Sequence, residues 1–581
     1  MNIPLKRYWD LLVDYLRTQR VQFTLLAVML LSSICLQIAN PQLMRYIIDT
    51  AIAGEDNDYL VLIGLAFIGL ALVQQVVAVT ATYIGENVAW NATNALRADL
   101  ARHCLNLDMS FHNEHKPGEL IERIDGDVAE LSNFFSQMVI RVLGNLLLMV
   151  GILIVLFFED WRIGLAFSVF ATLTVYSLNK VRSIAVPHDK ALREANADLF
   201  GFLEERLAGT EDIRASGAVN FVINGLYRHQ AVILTRWRIA WMMHMVVRLV
   251  AGVMLMGGFA IAFLGGYQLY RDGVITIGTA YLIVYYTNML ARPIRELTQQ
   301  VESLQNIGAS VERLSDLRKI ETKINGGPRE DLETGPLALE FQDVGFGYAD
   351  DERVLNELNL RLEPGRVLGL LGRTGSGKTT ITRLVFRLYD TNEGTVTLNN
   401  IDVRDLTLHA LRHRVAMVTQ DVQLFQASVR DNLTFFNRDI SDEHILSVID
   451  DLELRDWLDT LPKGLDTRLE TGGRGLSAGQ AQLLAFARVF LHDPGLVILD
   501  EASSRLDPAT EQLIERAIDR LLQNRTAIIV AHRLGTVQRA DDIMILEDGY
   551  VTEHGARQQL ADDPDSRFYG LLQTGLSEVL A

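Results

Sequence analysis

The sequence predicts an α-helical membrane-spanning domain with six spans and long helical extensions outside the bilayer, fused to an α/β domain with a largely parallel sheet. Three observations predict it. Six long apolar stretches occupy the first half of the chain, two connections between them are long, basic and helix-patterned, and from Leu337 short apolar strands alternate with helical segments.

The 581 residues leave room for two or more domains, and the 49% hydrophobic content is high for a cytosolic protein. A net charge of −18 argues against nucleic acid as a partner, because phosphate binding needs a basic surface. Cys35 and Cys104 are the whole cysteine complement; a disulfide or metal framework is not expected, and both read as packing residues. Met1–Arg20 is polar and has the pattern of an interfacial helix rather than a cleavable signal.

A bilayer core about 30 Å thick requires roughly 20 apolar residues of helix. The candidates are Val21–Ala39, Leu60–Tyr83, Met138–Phe158, Ile163–Leu178, Val246–Tyr270 and Ile275–Leu290, the fourth and sixth being short. Asn40–Tyr59, Glu159–Arg162 and Arg271–Val274 are short links, whereas Ile84–Gln137 and Asn179–Met245 are long. The long connections hold most of the basic residues, including Arg97, Arg102, Arg123, Arg182, Arg206, Arg228 and Arg238; Lys6, Arg7, Arg17 and Arg20 precede the first span. By the positive-inside rule these regions and both termini are cytoplasmic. Helices that continue past the bilayer would reach soluble partners, with contact elbows at the breaks Phe111–Gly118 and Ala208–Gly217. Gln74, Gln75, Asn145, Asn288 and Arg248 are polar within the spans and are expected to face a cavity or a neighbouring helix. Trp237, Trp241, Met242, Met243 and Met245 before the fifth span read as an interfacial anchor, with an apolar access point as the sharper alternative.

Charge, Gly and Pro rise together in Glu321–Pro336, so the expected organisation is a membrane domain over 1–320, a linker over 321–336 and a soluble domain over 337–581. Strand-like segments are Leu337–Phe341, Val367–Leu371, Val415–Val418, Leu496–Leu499, Ala527–Val530 and Ile543–Leu546. The second of these runs into Gly372-Arg373-Thr374-Gly375-Ser376-Gly377-Lys378-Thr379, which fits G-x-x-x-x-G-K-[ST] and opens a helix-compatible run Thr380–Tyr389. Its glycines let backbone N–H groups converge on phosphate, and the helix start adds positive potential. Lys378 supplies a charge for the β- and γ-phosphates, and the Thr379 hydroxyl can hold Mg²⁺. Leu496–Leu499 ends in Asp500 and Glu501, suited to a metal-water contact and to polarising a water molecule. ATP with Mg²⁺ is the implied ligand pair, in a P-loop NTPase domain.

Further residues complete a recognisable set. Leu476-Ser477-Ala478-Gly479-Gln480 resembles the signature of ATP-binding cassette (ABC) proteins, Gln420 resembles their lid glutamine and His532 their switch histidine. Tyr348 matches the aromatic that stacks on adenine, and Ser504-Arg505-Leu506-Asp507 resembles the D-loop. Ser110–Asp127 resembles the first intracellular loop, and Gly278–Leu314 the sixth helix, of exporter-type (type IV) half-transporters related to multidrug and lipid exporters. The resemblance spans the chain. It implies catalytic roles for Glu501, His532 and Gln420, and nucleotide contacts from Tyr348, residues 372–380 (Gly372 to Thr380), Ser477 to Gln480 and Asp507. It also implies metal contacts from Thr379, Gln420 and Asp500, and a second half-transporter chain whose signature completes each ATP site. The expected protein is an integral membrane exporter of lipophilic small molecules, lipids or peptides working by alternating access, seated in a bacterial inner membrane among its lipids.

The sequence departs from that pattern at a few positions. Ala478 replaces a glycine of the signature, Ala481 stands where arginine is common, Glu470-Thr471-Gly472-Gly473 replaces a Gly-Glu pair, and Arg505 stands where alanine is usual. A homodimer and an obligate heterodimer both accommodate these changes. Rival functions on the same scaffold are an importer of the metal-chelate type and an ATP-gated channel or regulator.

Overall fold

The computed structural model describes residues 15, 17–54, 57–136, 141–349, 352–419, 422–470, 476–500, 508–531 and 534–574. Packing divides the chain into two compact units, Met1–Leu105 with Pro117–Ile320, and Asn106–Lys116 with Glu321–Ala581.

The first unit is helical. Its long helices are α1 (Arg20–Ala53), α2 (Asn57–Asn106), α3 (Gly144–Glu159), α4 (Trp161–Ala208), α5 (Val219–Arg271) and α6 (Ile277–Lys319). At 1.5 Å per residue a helix of 50 residues measures ~75 Å, more than twice the bilayer core, so the apolar segments do continue as extended rods. Among the described residues, five helices are long and apolar enough to cross a membrane: Arg20–Ala53, Asp58–Asn106, Arg141–Glu159, Trp161–Ala208 and Val219–Arg271. The sixth expected span opens α6, a continuous helix, and is short as its sequence indicates. Its apolar run covers ~21 Å from Ile277 to Leu290 before Arg292, and the helix continues unbroken to Lys319.

The α3–α6 core is built from Leu148, Ile152, Phe167, Ala262, Ile283 and Tyr286. Tyr286 brings a hydroxyl into this apolar layer and satisfies it by donating to the Ile38 carbonyl at 2.8 Å. At the ends of the short links, Asp49 accepts from the Thr276 hydroxyl (2.7 Å) and the Gly278 N–H (2.8 Å), while Arg45 pairs with Glu159 at 2.5 Å. Asp160 caps α4 by accepting from the Arg162 N–H. Both expected elbows are short helices, Met109–Glu114 with Pro117–Ile121, and Thr210–Ala215.

The second unit contains two sheets. A six-stranded sheet runs β10-β9-β3-β8-β7-β6, with β3 (Val367–Gly372), β6 (Val415–Val418), β7 (Leu496–Asp500), β8 (Thr526–Val530) and β9 (Asp542–Glu547) parallel and β10 (Tyr550–Ala556) antiparallel. Its central strands are buried on both faces, which explains their continuous apolar sequences. A four-stranded antiparallel sheet, β2-β1-β4-β5, comprises β1 (Leu339–Ala349), β2 (Glu352–Leu362), β4 (Glu393–Leu398) and β5 (Ile401–Asp402). Of this second sheet the sequence indicates only the start of β1. Residues following Ile320 are tied to the same unit: Gly327 and Arg329 donate to the Leu406 and Asp405 carbonyls.

Candidate nucleotide site

β3 ends at Gly372, whose φ of 145° and whose missing Cβ both matter: a Cβ there would stand 2.3 Å from the Leu546 carbonyl oxygen. The loop returns through Gly375 (φ 86°) to Gly377 (φ 106°), the N-cap of α7 (Lys378–Val385). Lys378 lies folded over its own loop, buried, with Nζ donating to the carbonyls of Gly372 (2.7 Å) and Arg373 (2.9 Å). Arg373, Thr374, Gly375 and Thr379 are exposed around it. The Ser376 hydroxyl oxygen is buried with no hydrogen-bond partner among the described residues. An orphaned hydroxyl inside a loop of left-handed glycines, beside a buried ammonium group, suits an anionic oxygen ligand.

Tyr348, on β1, is brought against this loop. Its hydroxyl is 3.1 Å from the Thr380 hydroxyl and accepts from Arg383 at 3.0 Å, leaving the ring partly exposed. Asp500 stands at the C-terminal end of β7, in register with Val530 of β8, which itself neighbours β3. Two strand spacings, ~10 Å, therefore separate the β3 and β7 ends along one sheet edge, where ligands collect in parallel α/β sheets. Thr379 and Asp500 are hard oxygen donors of the kind Mg²⁺ takes.

The Ser477–Gln480 segment lies elsewhere in the unit. Ser477 caps α8 (Ala478–His492) in a capping box: its Oγ accepts from the Gln480 N–H at 3.1 Å, and its own N–H donates to Gln480 Oε1 at 2.9 Å. Gly479 is buried, and a Cβ there would fall 1.9 Å from Thr510 Cγ2 on α9 (Pro508–Leu522). Ala478 is exposed, so this fold does not require glycine at that position. Helix α8 packs on α9, on Val429–Thr434, on Asp442–Asp451 and on β6, the edge strand furthest from β9 among the parallel strands. Gln420, Glu501, Ser504, Arg505, Leu506, Asp507 and His532 lie outside the described residues, as do Thr471 to Gly473. No motif marks Thr510 or Tyr389, and Asn113 falls within the expected elbow Phe111–Gly118 without being singled out there.

In the membrane unit, Gln74, Gln75 and Asn145 line one cavity of about 800 Å³ with Arg141, Arg292 and Glu296, and Arg248 lines another. Asn288 is exposed.

Comparisons with known proteins match both units. A family model described as the ABC transporter transmembrane region covers residues 23–294, and one described as ABC transporter covers 355–504. An ABC transporter ATP-binding protein of Bacillus subtilis, YfiC, is 28% identical over 96% of this chain and 92% of its own length. The ATP-dependent lipid A-core flippase of Idiomarina loihiensis is 30% identical over 90% of each chain. This chain belongs to the ABC transporter family. The transporter also shares its fold with a solved bacterial Atm1-family ABC exporter with ATP bound, at TM-score 0.77, 21% identity and coverage of 96% and 98% of the two chains. It is an integral membrane protein of the exporter-type half-transporter class, and its cassette binds ATP and couples hydrolysis to transport.

Proposed function

We propose that this transporter exports a lipophilic compound or lipid by alternating access, as one of two chains that share their ATP sites. The carrying observation is the separation within one cassette: the loop around Lys378 follows β3, whereas the Ser477 cap opens a helix seated on β6. A second chain supplies its signature to this loop.

In this reading Tyr348 stacks on adenine, residues 372–380 cradle the phosphates, and Lys378 turns from its own carbonyls to the β- and γ-phosphates. Thr379, Asp500 and Gln420 would hold Mg²⁺, which neutralises phosphate charge when bound. Glu501 polarises the attacking water, His532 contacts the γ-phosphate, and Ser477, Ala478, Gly479, Gln480 and Asp507 meet the ATP of the opposite chain. ATP favours the closed pair of cassettes and hydrolysis releases it, a population shift relayed through the elbows on the long helices. The domain limits are 1–320, 321–336 and 337–581, with the cassette in the cytoplasm and the spans in a bacterial inner membrane. The named flippase relatives favour export over the importer and channel readings.

Glu501→Gln tests the reading. It should bind ATP with near-normal affinity while losing turnover and transport into inside-out vesicles. Normal ATP turnover from that variant removes Glu501 from its role, and loss of preloaded substrate from wild-type vesicles reverses the direction.

A further inference from the structure

Tyr348 stands near the end of β1, in the antiparallel sheet, whereas the phosphate loop follows β3 of the other sheet. Phe346, two residues before it on the same strand, is buried in the core, but Tyr348 is 42% exposed, so burial does not fix its ring. A side chain left in that condition samples several χ1 wells. Two side chains of α7 hold it instead. Arg383 Nη1 donates to the Tyr348 hydroxyl oxygen at 3.0 Å, and Thr380 Oγ1 lies 3.1 Å from the same oxygen. Arginine is a donor only, so the phenol oxygen accepts from it and keeps its own proton for Thr380. Thr380 and Arg383 are three residues apart and share one face of the helix. The Arg383 guanidinium carbon lies 5.9 Å from the Tyr348 ring centroid, and the rings of Phe346 and Tyr389 stand nearly perpendicular to it at 5.0 and 5.1 Å.

Arg383 is committed to this contact. Among the described residues it makes no ion pair, and its hydrogen bond goes to the Tyr348 hydroxyl. Arg387, four residues on, differs: it is buried and paired with Asp390 at 2.8 Å, which is a packing role. Stacking needs the ring in place when the base arrives, and apparent affinity falls with the fraction of rings that are in place. A ring released into three staggered wells occupies the stacking position about one third of the time, a loss of about threefold. Lys378, Thr379, Thr380 and Arg383 all belong to α7, so one helix carries both the phosphate contacts and the anchor of the ring. Building on the reading of Tyr348 as the adenine platform, we propose that Arg383 is a positioning residue for the base of the nucleotide: with Thr380 it pins the Tyr348 ring to the helix that carries Lys378. A nucleotide gains from this anchor, and a bare polyphosphate does not.

The test uses the full chain in nanodiscs and two ligands that involve no turnover, ADP and pyrophosphate, each with Mg²⁺. Affinities are read by competition against a ribose-labelled fluorescent ADP calibrated on each variant. Arg383→Met should weaken ADP binding about threefold and leave pyrophosphate unchanged. Arg383→Lys should keep most of the ADP affinity, because lysine also donates to the hydroxyl. Tyr348→Phe removes the acceptor and should show the same loss as Arg383→Met. The double variant R383M/Y348F should lose no more than either single one, since both delete the same bond. A parallel fall in pyrophosphate affinity, losses that add in the double variant, or wild-type ADP affinity in Arg383→Met overturns the proposal. Tyr348→Ala separates this inference from the reading beneath it, and should lose about tenfold in ADP affinity with the stacking surface. With that loss present, an unaffected Arg383→Met overturns the role of Arg383 alone. A Tyr348→Ala variant that binds ADP as wild type does removes the adenine platform, and the proposal with it.

Discussion

Asn113 Nδ2 donates a 2.8 Å hydrogen bond to the Tyr389 hydroxyl, and the Tyr389 ring stands edge-on to that of Tyr348 at 5.1 Å. Asn113 belongs to the short helix Met109–Glu114 from the connection between the second and third spans, a segment that clusters with the cassette. Nearby, Asp108 accepts from the Thr322 hydroxyl (2.5 Å) and the Lys323 N–H (2.6 Å), anchoring the same segment to the start of the cassette unit. Burial pushes the Tyr389 phenol above its ordinary pKa while the Asn113 hydrogen bond pulls against it, so this hydroxyl stays protonated at physiological pH. Tyr348 continues the chain of contacts to Thr380 in the phosphate-loop helix.

Tyr389→Phe keeps the ring contacts and deletes the Asn113 bond. Its stability cost should be about 0.5–1.5 kcal/mol, the ordinary net worth of one hydrogen bond. ATP affinity should stay within about twofold of wild type, while substrate moved per ATP falls. Vesicle transport measured alongside ATP turnover checks this; an unchanged ratio shows that the bond only holds the segment in place.

Lys378→Met tests the loop. The ammonium now bridges two carbonyls of its own turn, so the variant loses both that bracing and the phosphate contact. ATP affinity should fall about tenfold or more, read by titration with a fluorescent ATP analogue.

Gly479→Ala should fail for a packing reason. The new methyl meets Thr510 Cγ2 at 1.9 Å, and overpacking of this kind costs about 1–3 kcal/mol. Thermal unfolding should show the loss, and adding Thr510→Ala should recover much of it. A double variant as unstable as the single one would locate the cost in the backbone instead.

The cassette should lose stability in mild acid through His492. Burial, and then the charge of His413, holds this imidazole below its ordinary pKa. The folded state therefore favours the neutral ring, and the unfolded chain takes up more protons as pH falls. The His492 contribution is complete above about pH 6.5 and declines as pH drops through the lower folded value. Melting temperature measured from about pH 8 down to about pH 5 should fall less steeply for His492→Gln than for wild type.

The two sheets are unequally legible in the amino-acid sequence. β3, β6, β7, β8 and β9 are short apolar runs with largely buried side chains, and their composition alone marks them as strands. β2, Glu-Arg-Val-Leu-Asn-Glu-Leu-Asn-Leu-Arg-Leu, is not marked in this way. Its asparagines and glutamates carry low strand propensity, and irregular register against β1, with Glu357 at φ 45°, breaks its alternation.

The sequence by itself determined the local chemistry of this protein: a glycine loop leading from a buried strand into a helix, a carboxylate at a strand end, a capped signature helix and apolar helices of membrane length. Each depends on neighbours a few residues apart, where spacing sets geometry. Tertiary structure decided what distant segments share. It set Thr510 against Gly479, Tyr348 beside Thr380 and Asn113 on Tyr389, and it gathered Arg182, Arg248 and Arg295 from three helices around one cavity. Such pairings follow from how helices and strands pack, which no local pattern encodes.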